Sequence, residues 1–143
     1  MNFSSLKSQD YALLSSKNFF GLKVKTALDI KSREKGLMGI QKLNDYNGIL
    51  FIYEKPKMVN IWMKNTYIPL DIIFIDNFNK ISAIREGIPR KLDFISSKKK
   101  VQAVLELPRN CSNKLKMSVG DEVTWIFKTS HEVKNFRYYH CLE

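Results

Sequence analysis

Trp62-Met63-Lys64-Asn65-Thr66-Tyr67-Ile68-Pro69-Leu70-Asp71-Ile72-Ile73-Phe74-Ile75 runs from a polar corner into an apolar segment. Asn65 tolerates left-handed backbone, Thr66 can cap a turn and Pro69 fixes φ, so the first half reads as a stiff corner. Leu70 to Ile75 is apolar at every position but one, the pattern of a strand covered on both faces and placed centrally in a sheet. Trp62 is expected to fill the end of the core. Asp71, between Leu70 and Ile72, needs a partner if it is buried, and the turn amides or Lys64 are the expected ones.

The pattern continues on both sides of this segment. Downstream, Asp76-Asn77-Phe78-Asn79 is a turn and Lys80 to Ile88 alternates as the return strand of a hairpin. A polar connection of about ten residues follows Pro89, then a strand from Val101 to Leu107 closed by Pro108. A short helix is expected over Cys111 to Met117, and a last strand over Glu122 to Phe127. Upstream, Ile49 to Tyr53 has strand composition and is broken by Glu54-Lys55-Pro56-Lys57, after which Met58 to Met63 reads as another strand. Tyr11 to Leu14 and Phe19 to Leu28 form a hairpin signal. Asp29 is placed to cap a short helix over Ser32 to Lys35, which Gly36 to Gly39 end. Some eight short strands and two minor helices predict a mainly β (α+β) domain, an antiparallel sheet curled into a barrel-like form. The expected organisation is one domain over residues 8–128 and a loosely docked polar tail over 129–143.

A chain of 143 residues can bury roughly two thirds of its unfolded surface as one domain. With 44% hydrophobic residues it lies outside disordered composition. No apolar run approaches the roughly 20 residues a membrane helix needs, so the protein is not expected to be transmembrane. The net charge of +10 would suit nucleic acid. Its carriers are mostly lysines spread along the chain, whereas specific recognition favours arginine forks, so only weak nucleic-acid binding remains as a distant alternative. Lys98-Lys99-Lys100 follows two serines and reads as a solvated turn. Cys111 and Cys141 are too sparse for a disulfide framework and are expected to be free thiols. His131, His140 and Cys141 match no zinc spacing, so neither a metal nor another cofactor is expected. The opening residues lack the pattern of a signal peptide. The expected compartment is cytoplasmic for the sequence as it stands, and periplasmic or exported if a leader precedes Met1.

Five stretches together resemble one family, catalogued as domain of unknown function 192. They are Gly36-Leu37-Met38, Gly48-Ile49-Leu50-Phe51, the run from Trp62 to Ile75, Val104-Leu105-Glu106-Leu107 and Gly120-Asp121-Glu122-Val123. The resemblance implies a compact β-barrel-like domain and supplies no activity. The chain departs from the family pattern in having Asp29-Ile30 where members often have Thr-Pro. It has Ser96 to Lys100 where some carry cysteines, and the export signal or lipid anchor of many relatives is not expected within the sequence as it stands.

The same corner carries the candidate site. Trp62, Lys64, Asn65 and Asp71, with Glu106 on a neighbouring strand, are expected to offer an apolar wall and polar ligands to an unidentified small molecule or protein. The expected role is a non-enzymatic binding or accessory module, acting as a monomer. The rival is a hydrolase or transferase with Asp71 as general base and Lys64 or Glu106 in support. A purely structural role for the corner explains the same residue types.

Overall fold

The computed structural model describes residues 10–134 and 141. In chain order the elements are β1 (Tyr11–Ser16), β2 (Phe19–Ala27), α1 (Ile30–Lys35), β3 (Ile49–Lys57), β4 (Asn60–Ile61) and β5 (Leu70–Ile75). Then come β6 (Ile81–Gly87), β7 (Ile95–Ser96), β8 (Val101–Pro108), α2 (Cys111–Lys114), β9 (Thr124–Lys128) and α3 (Ser130–Val133). Seven strands form one curled sheet in the order β6-β5-β8-β3-β2-β1-β9. β4 and β7 pair separately. Every pairing is antiparallel except that of β2 with β3.

The sheet carries a core on each face, which explains the unbroken apolar reading of β5. Ile73 and Ile75 join Leu14, Leu22, Leu50 and Leu105 on one side. Leu70, Ile72 and Phe74 join Phe51, Met63 and Val104 on the other. Successive side chains of a strand point to opposite faces, so a strand serving two cores has no polar side to show. β5 is an interior strand, as expected, but lies between β6 and β8 near one end of the sheet, while β3 occupies its middle. Gly48 lets β3 start close against β8, since a Cβ there would collide with the carbonyl oxygen of Glu106.

Asp29 caps α1 as expected: its carboxylate accepts the Ser32 N–H at 2.8 Å, and the Ser32 hydroxyl accepts the Asp29 N–H at 3.3 Å. Gly36 ends that helix at φ 47.

Several expectations need correction. Pro56 does not break β3, because the pairing with β8 passes from Ile52 to Lys57 through an irregularity. A proline inside such a bulge has no ladder hydrogen bond to lose. The expected strand over Met58 to Met63 shrinks to two residues, and its partner β7 lies in the segment read as a polar connection. A third helix, α3, stands in the segment read as tail, with Val133 buried and the Ser130 hydroxyl donating to Asp10 at 2.6 Å. The cysteines are not free: Cys111 and Cys141 form a disulfide with their Cα atoms 5.5 Å apart. Low cysteine density argued against a bridge, yet Cys111 opens α2 beneath the sheet, where Cys141 is also buried. Residues 135–140, 142 and 143 of the expected tail, His140 among them, and residues 8 and 9 of the expected domain lie outside the described residues.

Candidate functional site

The corner is held by backbone bonds on every side. The Thr66 N–H donates to the Met63 carbonyl at 3.0 Å, closing a turn in which Asn65 takes φ 56. Asn65 is among the residues that adopt this left-handed geometry at least cost. The Asn65 carbonyl accepts from Gly39 at 2.9 Å and the Thr66 carbonyl from Arg90 at 3.0 Å. The Pro69 carbonyl accepts from Arg109 at 2.9 Å. Thr66 is itself buried, and its hydroxyl donates to the Lys64 carbonyl at 3.4 Å.

Met63, and not Trp62, plugs the core. In the extended run Asn60 to Met63, period-two alternation turns Ile61 and Met63 inward and leaves Trp62 43% exposed. Trp62 instead forms one wall of a cavity of about 520 Å³. The opposite walls come from α1 with its Gly36 turn and from the bulged half of β3, which brings Tyr53 and Lys57 to the same space. Phe94 packs on Trp62, ring centroids 5.4 Å apart, and Phe51 lies deeper. Ile30, Trp62 and Phe94 are large apolar side chains left in solvent around this opening.

Cations sit on the aromatic walls. Lys64 Nζ lies 4.9 Å from the Trp62 ring centre and Lys57 Nζ 5.5 Å from that of Tyr53. The Arg33 guanidinium is 5.0 Å from Tyr53. It also donates to the carbonyls of Leu28 at 3.0 Å and Ile52 at 2.8 Å, and pairs with Glu54 at 3.4 Å. Arg33 is therefore a fixed strut, whereas the two lysines have their ammonium groups over ring faces next to the open space.

Glu106 also lines the cavity. It stands on β8 opposite Ile49 of β3 and Ile72 of β5, and only 5% of its surface is exposed. Among the described residues its carboxyl group makes no hydrogen bond or ion pair, and its oxygens open on the cavity. Burial pushes the group up to about 8, so it is mostly a neutral acid at pH 7. The Tyr53 phenol is pushed up to about 12, chiefly by burial, with Arg33 lowering it and Glu106 raising it.

Asp71 does not belong with these groups. It shares a sheet face with Ile73 and Ile75, opposite the face of Ile72 to which Glu106 is registered. Its carboxylate accepts the Ser112 N–H at 2.9 Å and the Ser112 hydroxyl at 2.6 Å. Asn110 makes no side-chain cap for α2, so Asp71 supplies an acceptor to that helix start from the strand beside β8, on the face that α2 covers. The expected pairing of Asp71 with Lys64 is absent; Lys64 lies on Trp62. Of the five candidate residues, Trp62, Lys64, Asn65 and Glu106 line one cavity and Asp71 lies outside it.

Sequence reasoning missed Phe51, Tyr53, Lys57 and Phe94 as wall residues. The available signal was Pro56, which marks a bulge as readily as a strand end. Two further hollows, beside Asp10 and Ser130 and beside Lys17 and Asp121, contain no buried unpartnered group. Among the described residues no cluster of three metal-ligating side chains is present, and no helix is long and apolar enough to cross a membrane.

A curled two-core β domain with one aromatic, lysine-lined cavity over a buried acid defines the class of this protein. The chain belongs to the family DUF192, described as Uncharacterized ACR, whose model matches residues 13–125. It is similar to the crystal structure of a candidate transcription regulator from Sinorhizobium meliloti 1021. The two are 32% identical with a TM-score of 0.75, over 82% of this chain and 95% of that one. It is also similar to a protein of unknown function from Novosphingobium aromaticivorans DSM 12444. There the identity is 28% and the TM-score 0.72, over 80% and 84% of the two chains. No curated protein matches the chain.

Proposed function

We propose that this domain is a binding module whose cavity beside Trp62 takes a small amphipathic anion, or an anionic peptide end, with an apolar body. The observation that carries this reading is the pairing of wall and rim: Trp62, Phe94, Tyr53 and Phe51 around one opening, with Lys57 and Lys64 at its edge. Aromatic walls with a few convergent polar groups are the usual make-up of a ligand site. The lysines favour negative charge, because neither is in a salt bridge within the described residues, Lys57 acting on Glu54 only from a longer distance. Large apolar side chains left in solvent together, as Ile30, Trp62 and Phe94 are, commonly mark an interaction surface.

The enzyme reading through Asp71 loses its geometric support, since that carboxylate is committed to Ser112. The Cys111–Cys141 bridge supports the exported alternative for the compartment, because such bridges persist in oxidising surroundings.

A thermal-shift screen of small amphipathic anions against their neutral analogues tests the proposal. Hits are expected among the anions, lost in Trp62→Ala and weakened about tenfold in Lys64→Gln. Trp62 is partly exposed, so its removal leaves the fold standing. Hits that persist undiminished in Trp62→Ala would place binding elsewhere and refute the reading.

A further inference from the structure

Glu106 has no assigned purpose in the fold. A buried carboxyl group without a partner costs stability, and sheets ordinarily place an apolar residue at such a position. Its neighbours in register, Ile49 and Ile72, are both buried and apolar. Among the described residues no group accepts or donates a hydrogen bond at its carboxyl, and the residue lines the cavity.

We propose, resting on the binding reading above, that Glu106 is the specificity-determining residue of the cavity, holding as a carboxylic acid the uncharged leading end of the ligand through a hydrogen bond to a carbonyl or amide oxygen. The ligand then has three parts in order: an amide or carbonyl oxygen on Glu106, an apolar body between Phe51 and Trp62, and an anionic end at the lysines. An N-acylated amino acid, or the carboxyl end of a short peptide, has this composition.

The charges around Glu106 support that orientation. From α1 come Arg33, Glu34 and Lys35; from β3, Tyr53 and Lys57; from the corner, Lys64. Along its own row of the sheet lie Lys25, opposite Ile49, and Arg85, opposite Ile72. Arg33 is committed to two carbonyls and Glu54, Lys25 lies over Tyr46, and Lys57 and Lys64 lie over Tyr53 and Trp62. None forms an ion pair with Glu106. A carboxylate pushed to the floor would therefore lack a counter-ion, and a cation would have to pass the lysine rim. A neutral acceptor meets neither cost, and the protonated acid offers it an O–H donor. Ionisation removes that donor and leaves a buried negative charge against the ligand oxygen, so binding must weaken as pH rises past the acid's ionisation.

The test uses N-acetyl-L-phenylalanine as probe, with 3-phenylpropionate, which lacks the acetamide, and N-acetyl-L-phenylalaninamide, which lacks the anion. Affinities are followed by NMR titration between pH 6 and 9.5. The expected result is that N-acetyl-L-phenylalanine binds best. Its affinity should fall about tenfold per pH unit above about 8, with Glu106→Gln, which keeps an N–H donor, abolishing that fall. 3-Phenylpropionate should bind at least tenfold more weakly and independently of pH. Equal binding of the two acids, or a wild-type affinity flat across the range, overturns the role given to Glu106 while leaving the cavity reading intact. A preference for the amide over the acid instead overturns the lysine rim, and binding by none of the three overturns both. The wild-type pH series decides the matter without any variant.

Discussion

Glu106→Gln should change how stability depends on pH, in the empty protein and with no ligand involved. An ordinary glutamate ionises near 4.5, and burial raises Glu106 to about 8. Between those values the unfolded chain has released the proton while the folded chain still holds it, so stability falls as pH rises through the window. The contribution is fully present below 4.5, declines across the window and levels off above 8. At 1.36 kcal/mol per pH unit the whole decline is roughly 5 kcal/mol, a ceiling that any water entering the cavity lowers. That is a large share of the 5–15 kcal/mol typical of a domain. Glutamine has similar shape and no proton to lose. Urea unfolding of both proteins from pH 4 to pH 9.5 should therefore give nearly equal stability at the acid end and a variant several kcal/mol more stable at pH 9. The carboxylates of Glu54 and Glu132 lie below their usual range through backbone hydrogen bonds, but they act alike in both proteins and cancel in the difference. Parallel curves would mean that Glu106 ionises as it does in water, and the account of the cavity floor would be wrong.

Other expectations follow from the same contacts. Asp71→Asn should destabilise by about 1–3 kcal/mol, because the two charge-assisted bonds that Ser112 donates to one carboxylate oxygen become neutral ones of about half the strength. In a binding titration it should leave ligand affinity unchanged. Reduction of the Cys111–Cys141 bridge, which spans 30 positions, should cost about 3–4 kcal/mol by the loop-entropy relation, read as a lower denaturation midpoint. Gly48→Ala should cost more than about 3 kcal/mol, since its new methyl collides with backbone that cannot swing aside, and circular dichroism of the purified variant reports the loss. Binding to duplex DNA should be weak and vanish by about 200 mM salt in an anisotropy titration, as expected of scattered lysines.

Much of the architecture was legible because the sheet's needs are local. Leu70 to Ile75 had to be apolar on both sides to serve two cores, and Asn65 had to tolerate a left-handed turn, so both were visible as residue types at fixed spacing. What escaped depended on which face a residue takes. The sequence placed Asp71 beside Lys64 because they are near in the chain. The face is decided by the parity of β5 relative to its core, and Asp71 shares parity with Ile73, away from the cavity. The core-filling reading of Trp62 failed for the same reason, since a one-residue shift of parity exchanges it with Met63, whereas its reading as an apolar wall agrees with its place in the cavity lining. The disulfide was hidden because bringing Cys141 to Cys111 is a tertiary event that composition does not encode.

The parity argument also separates the two acids physically. Asp71 and Glu106 lie on adjacent strands, one register step apart, each flanked by apolar side chains. Asp71, half-buried, meets a helix start whose first amides need acceptors, so its carboxylate satisfies a donor that would otherwise go unpaired. Glu106 meets open space bounded by aromatic rings, and no donor in the described fold uses it. A valine in its place would extend the core formed by Val104 and Phe51 without the cost of a buried acid. Folding alone accounts for the first carboxyl group and not the second, which is the reason for seeking its partner among molecules that enter the cavity.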